Sequence, residues 1–277
     1  MSVVMLRLPR RTFLSYQHMY HAGNAADLHK HSVLAGCLSA LLAAEGPAAR
    51  LWYADTHAGR GVYNVTSPEA RKTGDAARGY LRAAELDLPA PLRHAVAATR
   101  ARYAAQLGSP ASDDAGPPCV YPGSPAVADA LLPAASRMFL FERHPAEYRA
   151  LRRYFAPVRR AVVEQADGPA RLLALGSAHR EWRQAFSAVR GFVLVDPSYE
   201  SKTELADTAA AVHALARALP LAAILVWYPL LPPAVGKDSR ALCEPLQRAF
   251  PALHRDEVLC VLSLLLLLSW QRSLVLT

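Results

Sequence analysis

Short apolar runs recur along the chain, and polar or small residues follow each of them. They lie at 51–54, 137–142, 161–168, 192–195 and 221–228. Their length and their content of β-branched and aromatic residues predict buried strands, the third of them ending in an Asp-Gly turn. Helices are predicted between these strands at 146–155, 170–175 and 205–219. Strands that alternate with helices predict a parallel, doubly wound α/β sheet.

Two further helices are predicted from capping signals. Asn24 is expected to cap a helix at 25–42, and Ser124 one that runs to 132 with Pro125 in its first turn. Helices at 76–85 and 92–105 belong to a predicted insertion at 65–118. Its arginines suit either a phosphate backbone or a solvated helical face: Arg71, Arg78, Arg82, Arg93, Arg100 and Arg102.

A carboxylate stands at the end of four predicted strands, in Asp55, Glu142, Asp167 and Asp196. The carboxyl ends of parallel strands meet at one edge of a sheet, where open α/β proteins bind their ligands. We therefore expect all four acids to point to one rim. This convergence favours a ligand site more strongly than any one strand end does.

The segment Asp196-Pro197-Ser198-Tyr199 combines an acceptor carboxylate, a backbone carbonyl held by proline and an aromatic face. These groups suit a flat base with an exocyclic amine, which donates two hydrogen bonds and stacks. The competing interpretation is a strand that ends in an ordinary Asp-Pro turn.

Two other segments point to ligand binding. The small residues of 55–61 let the backbone approach a ligand, although the third glycine of the dinucleotide fingerprint is missing. The segment 14–31 is dense in histidine, but its spacing fits no standard zinc site. We therefore predict no metal and favour a polar ligand-binding segment there.

Charge and cysteine content narrow the class of protein. The 277 residues include 31 basic and 23 acidic side chains, a net charge of +8. This balance favours nucleic acid as a partner over a membrane, against the alternative of a basic protein with no polyanionic partner. Four cysteines without CxxC spacing indicate free thiols in a reducing compartment. No secretory signal is recognised, and the apolar run 258–268 is too short to span a bilayer, so a cytoplasmic location is expected.

Four motifs in this order resemble one known family. They are Leu-Ser-Tyr…His-Ala-Gly-Asn…Ala-Asp…Lys-His within 14–31, Asp-Thr-His-Ala-Gly at 55–59, Tyr-Pro-Gly-Ser-Pro at 121–125 and Trp-Tyr-Pro at 227–229. Together they resemble the RlmJ-type 23S ribosomal RNA adenine-N6 methyltransferases over 14–228. The resemblance implies a class I S-adenosylmethionine-dependent methyltransferase fold, a Rossmann-like doubly wound sheet. It places that domain at 14–64 and 119–277, a leader at 1–13 and the small helical insertion at 65–118.

The resemblance also implies roles for individual residues. Those expected to bind S-adenosylmethionine are Lys30, His31, His57, Ser124, Glu142, Asp167, Gly168 and Asp196. Glu142 would hold the ribose and Asp167 the adenine amine. Asp196 is the implied catalytic acid, acting with the Pro197 carbonyl and Tyr199, while Tyr16 would meet the target RNA. The implied partner is 23S ribosomal RNA, and the protein is expected to act as a monomer.

The chain departs from the family pattern at two places. Ser198 stands where the family has the second proline of Asp-Pro-Pro-Tyr, so impaired or tuned activity is expected. The segment 258–268 could form a sixth strand, but no closing strand is recognised after it, which predicts a shortened sheet or a poorly packed end. Two alternatives to rRNA methylation stay open: a non-catalytic rRNA-binding relative and a DNA adenine-N6 methyltransferase.

Overall fold

A computed structural model describes most of the chain. The described residues are 18–46, 49–83, 88–107, 119–178, 186, 188–201, 203–230, 244–246, 248, 260–261 and 270–276. The predicted leader at 1–13 and the predicted RNA contact Tyr16 lie outside them.

Nine strands and nine α-helices are described. The strands are β1 Trp52–Asp55, β2 Val62–Asn64, β3 Val120–Pro122, β4 Arg137–Phe141, β5 Ala161–Glu164, β6 Gly191–Val195, β7 Ala222–Leu230, β8 Cys260–Val261 and β9 Trp270–Leu276. The helices are α1 Ala25–Glu45, α2 Pro68–Thr73, α3 Asp75–Arg78, α4 Tyr80–Ala83, α5 Ala90–Leu107, α6 Ser124–Leu131, α7 Pro145–Phe155, α8 Gly168–Ala178 and α9 Glu204–Ala218. A 3₁₀ turn at His18–Tyr20 precedes α1.

The main sheet has seven strands in the order β5-β4-β1-β6-β7-β9-β8. The first five are parallel, whereas β9 pairs antiparallel with both of its neighbours. From β1 the chain moves outward to β4 and β5, then returns to place β6 on the other side of β1. This switch point marks where an open α/β sheet binds its ligand. The predicted parallel, doubly wound sheet is confirmed.

Helices cover both faces of the sheet. Tyr53, Leu140 and Leu194 lie in an apolar cluster that includes residues of α1, α5, α6 and α7. Ala54 and Val193, one residue along their strands, lie in a second cluster with α8 and α9. Because strand side chains alternate between faces, burial on both sides requires continuous apolar runs. This explains why the strands could be recognised from the sequence.

Four helices, α2–α5, lie between β2 and β3, which pair antiparallel. The continuous helix predicted at 76–85 is wrong, because the chain breaks at Gly79 between α3 and α4. A Cβ on Gly79 would lie 2.1 Å from the Gly23 carbonyl oxygen, so only glycine fits there. The Tyr80 N–H donates to the same oxygen at 2.7 Å. These contacts hold α3 and α4 against the segment that leads into α1.

The insertion is also held by a buried acid. Asp129 of α6 accepts from Arg160 at 2.6 Å and pairs with Arg102 of α5. The Arg102 guanidinium also lies over the Tyr154 ring. Arg102, one of the arginines considered for RNA contact, is therefore engaged in packing α5 against the sheet domain.

The C-terminal strand corrects the expectation for the end of the sheet. β9 pairs with β7 from Ile224↔Leu276 to Leu230↔Trp270 and closes the sheet, with β8 beside it. The prediction that no closing strand follows is wrong, because β9 begins at Trp270, beyond the apolar run, and its first half is mostly polar. The sixth strand predicted at 258–268 lies mostly outside the described residues, with β8 at 260–261 described within it. Within the described ranges, no helix has the length and apolar character to cross a bilayer.

Candidate active site

A cavity of about 640 Å³ opens beside the carboxyl ends of β1 and β6. This volume lies in the range of about 300–1,000 Å³ typical of small-molecule sites. Every predicted site residue in the described part of the chain lines it: Lys30, His31, His57, Ser124, Glu142, Asp167, Gly168, Asp196, Pro197 and Tyr199. Residues that are up to 169 positions apart in the sequence thus converge on one pocket.

The loop after β1 is held by its neighbours. The Thr56 hydroxyl donates to the Leu194 carbonyl at 2.9 Å, and the Ala58 N–H donates to the Phe141 carbonyl at 2.9 Å. A Cβ on Gly168 would lie 2.1 Å from the Thr56 carbonyl oxygen, so glycine is required where α8 begins. The ends of four parallel strands are thereby drawn together around the pocket.

Both oxygens of Glu142 are anchored by backbone donors. Oε2 accepts from Gly59 N at 2.8 Å, and Oε1 accepts from His144 N at 2.6 Å. Burial raises the pKa of Glu142, and backbone bonds from His144, Gly59 and Arg143 oppose that rise. A carboxylate has about four lone-pair sites, so three backbone donors leave acceptor capacity for a ligand. This arrangement suits a ligand that donates from a hydroxyl group.

Two histidines of the pocket wall are neutral at pH 7. Burial, together with the Arg143 charge, lowers the pKa of His57 to about 4 despite the opposing effect of Asp167. Burial and the Lys30 charge lower that of His31 to about 3. The His31 Nδ1 lies 2.7 Å from the Tyr121 hydroxyl. Both rings can therefore exchange hydrogen bonds with a polar ligand without carrying charge.

A line of paired polar side chains reaches Asp196 from the N-terminal segment. The Lys30 ammonium lies 2.6 Å from Asp196 Oδ2 and 3.3 Å from Asp27 Oδ1. Asp27 Oδ2 lies 2.8 Å from His18 Nε2. Burial raises the pKa of Asp196, and the Lys30 charge opposes that rise. Burial also pushes the pKa of Asp27 upward, but His18 and Lys30 outweigh it and hold that pKa below its ordinary value.

His18 and Asp27 are pocket residues that the sequence reasoning did not assign. Both line the cavity. His18 was weighed only as a metal ligand, and Asp27 only as part of a motif. The spacing of Asp27 and Lys30 was the available signal. Residues three positions apart lie on the same face of a helix, so this spacing places the two side chains next to each other. Lys30, expected to contact the cofactor, has its described contacts with carboxylates.

Tyr199 adopts the left-handed backbone conformation, with φ 54°. Its hydroxyl donates to the Trp227 carbonyl at 2.8 Å, and the residue is 5% exposed. A non-glycine residue there costs roughly 1–2 kcal/mol, and such strain clusters at functional sites. The hydroxyl anchor fixes the ring as part of the pocket wall.

Asp55 corrects the expectation of four acids on one rim. It is fully buried, accepts from the Tyr53 hydroxyl at 2.9 Å and from His57 N at 3.2 Å, and does not line the cavity. Burial raises its pKa to about 6, although a bond with Ser124 opposes the shift. Ser124 is likewise not the predicted N-cap: α6 starts at Ser124 itself, after Gly123. Its side chain supports Asp55 instead.

The described residues contain no group of three or more His, Cys, Asp or Glu side chains arranged to hold a metal ion.

Comparison with known proteins shows the family. A family model described as "Ribosomal RNA large subunit methyltransferase D, RlmJ" matches residues 48–249. The chain belongs to this family. The predicted resemblance to the RlmJ family is thus confirmed, and its members are ribosomal RNA large subunit methyltransferases.

Individual relatives agree with this RlmJ assignment. Ribosomal RNA large subunit methyltransferase J of Escherichia coli strain K12 is 34% identical over 227 residues, covering 79% of this chain and 71% of the relative. The Haemophilus influenzae protein of the same name is 32% identical over 220 residues, with the same coverage. A solved protein from Legionella pneumophila has a TM-score of 0.63 and 26% identity, covering 92% of this chain and 85% of that one. The fold is that of a class I methyltransferase.

Proposed function

We propose that this RlmJ-family protein transfers a methyl group from S-adenosylmethionine to N6 of an adenine in 23S ribosomal RNA. One observation carries the proposal. A single cavity is lined both by Glu142, whose carboxylate keeps acceptor capacity for a hydroxyl group, and by the Asp196-Pro197 corner, with acceptors for an amine. A nucleoside cofactor and a purine base require these two sets of groups.

The pocket residues fit S-adenosylmethionine. Glu142 would accept from the ribose hydroxyls, and Asp167, exposed at the start of α8, from the adenine amine. His31, His57, Ser124 and Gly168 complete the wall, and Lys30 balances the charge of Asp196. When bound, the cofactor supplies a methyl group made electrophilic by its sulfonium.

Asp196 and the Pro197 carbonyl would orient the target nitrogen. Each accepts one hydrogen of the adenine N6 amine, which turns the nitrogen lone pair toward the methyl carbon. Holding this nitrogen in line with the methyl donor would supply most of the rate, with the C–S electron pair remaining on sulfur. The Asp196 carboxylate would accept the proton that the nitrogen gives up. The Tyr199 ring forms the wall on which an unstacked base would rest.

RNA would be held by basic side chains outside the pocket. Arg71, Arg78 and Arg82 of α2–α4 are exposed, and the net charge is +8. Lys72 lies over the Tyr20 ring, two residues from His18, so this basic surface begins near the pocket. Phosphate contacts of this kind make binding strongly dependent on salt. Tyr16, outside the described residues, retains its expected contact with the target RNA.

A tritium methyl-transfer assay tests the function. We expect label from S-adenosylmethionine to enter adenine of unmethylated 23S rRNA, with digestion and chromatography locating it at N6. Absence of transfer while S-adenosylhomocysteine still binds would favour a non-catalytic rRNA-binding relative. Preferential labelling of DNA in a competition assay would favour DNA methylation. Light scattering tests the expected monomer in the same preparation.

A further inference from the structure

The Arg60 side chain joins two segments that both hold Glu142. Its Nε donates to Glu147 Oε2 at 2.8 Å, and its Nη2 to Glu147 Oε1 at 2.7 Å. Two parallel bonds of this kind fix orientation as well as distance. Glu147 lies in the first turn of α7 and is 4% exposed, so the pair is largely removed from solvent.

The Arg60–Glu147 pair connects the same two segments whose backbone N–H groups donate to Glu142. Gly59, next to Arg60, donates to one oxygen of Glu142, and His144, the N-cap of α7, donates to the other. The His144 ring accepts from Glu147 N at 3.4 Å. Gly59, Glu142, His144, Glu147 and Arg60 thus form a closed ring of contacts. Any separation of the loop from α7 would withdraw one anchor from Glu142.

The same guanidinium reaches the N-terminal segment. Its Nη2 donates to Met19 Sδ at 3.1 Å, and its carbon lies 5.9 Å from the centre of the Tyr63 ring. His18, beside Met19, packs edge-on against the same ring and pairs with Asp27. Arg60 does not itself line the cavity. It acts on the pocket only through the residues it holds.

We infer that Arg60 is a positioning residue for the cofactor's ribose: it clamps the loop after β1 to α7 and neutralises Glu147, so that the Glu142 carboxylate keeps its position and its acceptor capacity. This inference rests on the proposed function, because it takes S-adenosylmethionine to be the ligand. Without Arg60, the buried Glu147 carboxylate would stand uncompensated near Glu142. Its charge raises the pKa of Glu142, and a protonated Glu142 loses acceptor capacity.

Other titratable groups share this part of the pocket, so the pH response needs a matched set of variants. They are Tyr63 of β2, His57 of the loop after β1, Arg143 and His144 beside Glu142, Glu147 of α7, and Asp167 at the end of β5. Only the Arg60–Glu147 pair is altered by R60M, E147Q and the double variant. R149M removes an exposed arginine of α7 and serves as the control.

The test is calorimetric titration of the full chain with S-adenosylhomocysteine from pH 5.5 to 8.5. At neutral pH we expect R60M to bind about tenfold more weakly, with E147Q added in the double variant restoring only part of the affinity, because the charge is balanced again while the clamp is still lost. The pH below which affinity is lost should be higher in R60M than in the wild type. In the double variant it should go back to the wild-type value. R60K, which keeps the charge without the fork, should fall between.

Three outcomes would overturn the inference. They are wild-type affinity in R60M, a weaker affinity with an unmoved pH profile, or a double variant as weak as R60M. Thermal unfolding of each variant separates these from misfolding, and R60K provides the comparison if R60M does not fold. A wild-type chain that binds no S-adenosylhomocysteine would instead reject the proposed function, and the inference with it.

Discussion

The Lys30 ammonium lies 2.6 Å from the Asp196 carboxylate, across 166 residues of chain. The pair joins α1 to the end of β6 within the pocket. In the proposed mechanism the ionised Asp196 carboxylate accepts a hydrogen bond from an amine, and the Lys30 ammonium balances its charge.

Asp196→Ala should abolish methyl transfer, lowering it at least about 100-fold, as removal of a group that acts in the transition state does. S-adenosylhomocysteine binding should survive largely intact, because the proposed ribose and adenine contacts are those of Glu142 and Asp167, and loss of Asp196 removes only one of the expected cofactor contacts. Transfer assays and calorimetry on the same preparation measure both. Unchanged turnover would remove Asp196 from the mechanism.

Lys30→Met should slow methyl transfer and shift its pH dependence. Burial already raises the pKa of Asp196, and losing the opposing Lys30 charge raises it further. The acid limb of the pH–rate profile should therefore move to higher pH. The exposed Arg217→Met, on α9, is the control for loss of one positive charge. An unmoved acid limb in Lys30→Met would contradict this role.

Ser198→Pro restores the family's Asp-Pro-Pro-Tyr motif. Ser198 is exposed, and it precedes the strained Tyr199. Proline reduces the freedom of the unfolded chain, which stabilises by about 0.4–1 kcal/mol where the backbone is compatible. We expect the melting temperature to rise by about 1–4 °C, with transfer at or above the wild-type rate. A slower Ser198→Pro variant would show that the serine tunes this active site.

Asp55→Asn should remove a pH-dependent contribution to stability. The folded pKa of Asp55 is raised to about 6, so its favourable contribution is full below the unfolded value and is lost as pH rises through 6. The stability of wild type relative to Asp55→Asn should fall by about 3 kcal/mol between pH 3.5 and 7. Urea unfolding across this range measures it. If the difference in unfolding free energy between the two proteins did not change with pH, the pKa of Asp55 would not be raised in the folded state.

Asp129→Asn should destabilise the fold by about 3–5 kcal/mol, because it breaks a buried ion pair network and leaves the arginines without their carboxylate. Asp75→Asn is the matched control. Asp75 pairs with Arg78 and His21, but its side chain is 20% exposed. Exposed pairs contribute about 0–1 kcal/mol. Equal losses in urea unfolding would contradict a special role for Asp129.

Much of the sheet could be predicted from the sequence, and each error in the prediction has a physical cause. The strands β1 and β4–β7 were recognised because burial on both faces demands unbroken apolar runs. The break at Gly79 was missed because it depends on the Gly23 carbonyl, far away in sequence. The closing strand β9 was missed because Gln271, Arg272 and Ser273 interrupt it, so it lacks the unbroken apolar run that marks the inner strands.

Several residues of the candidate site could be predicted from the sequence, because strand ends and short motifs are local features. They include Glu142, Asp167, Asp196 and the histidine-rich segment 14–31. Their surroundings depended on long-range packing. Asp55 and Glu142 both end strands, yet one is buried under Tyr53 and the other borders the pocket. Lys30 meets Asp196, and Arg60 meets Glu147, only because the fold brings distant segments of the chain together. The sequence by itself determines which chemical groups are present and where the parallel strands end. The burial, the hydrogen-bond partners and the pKa of each group depend on residues that only the tertiary structure brings together.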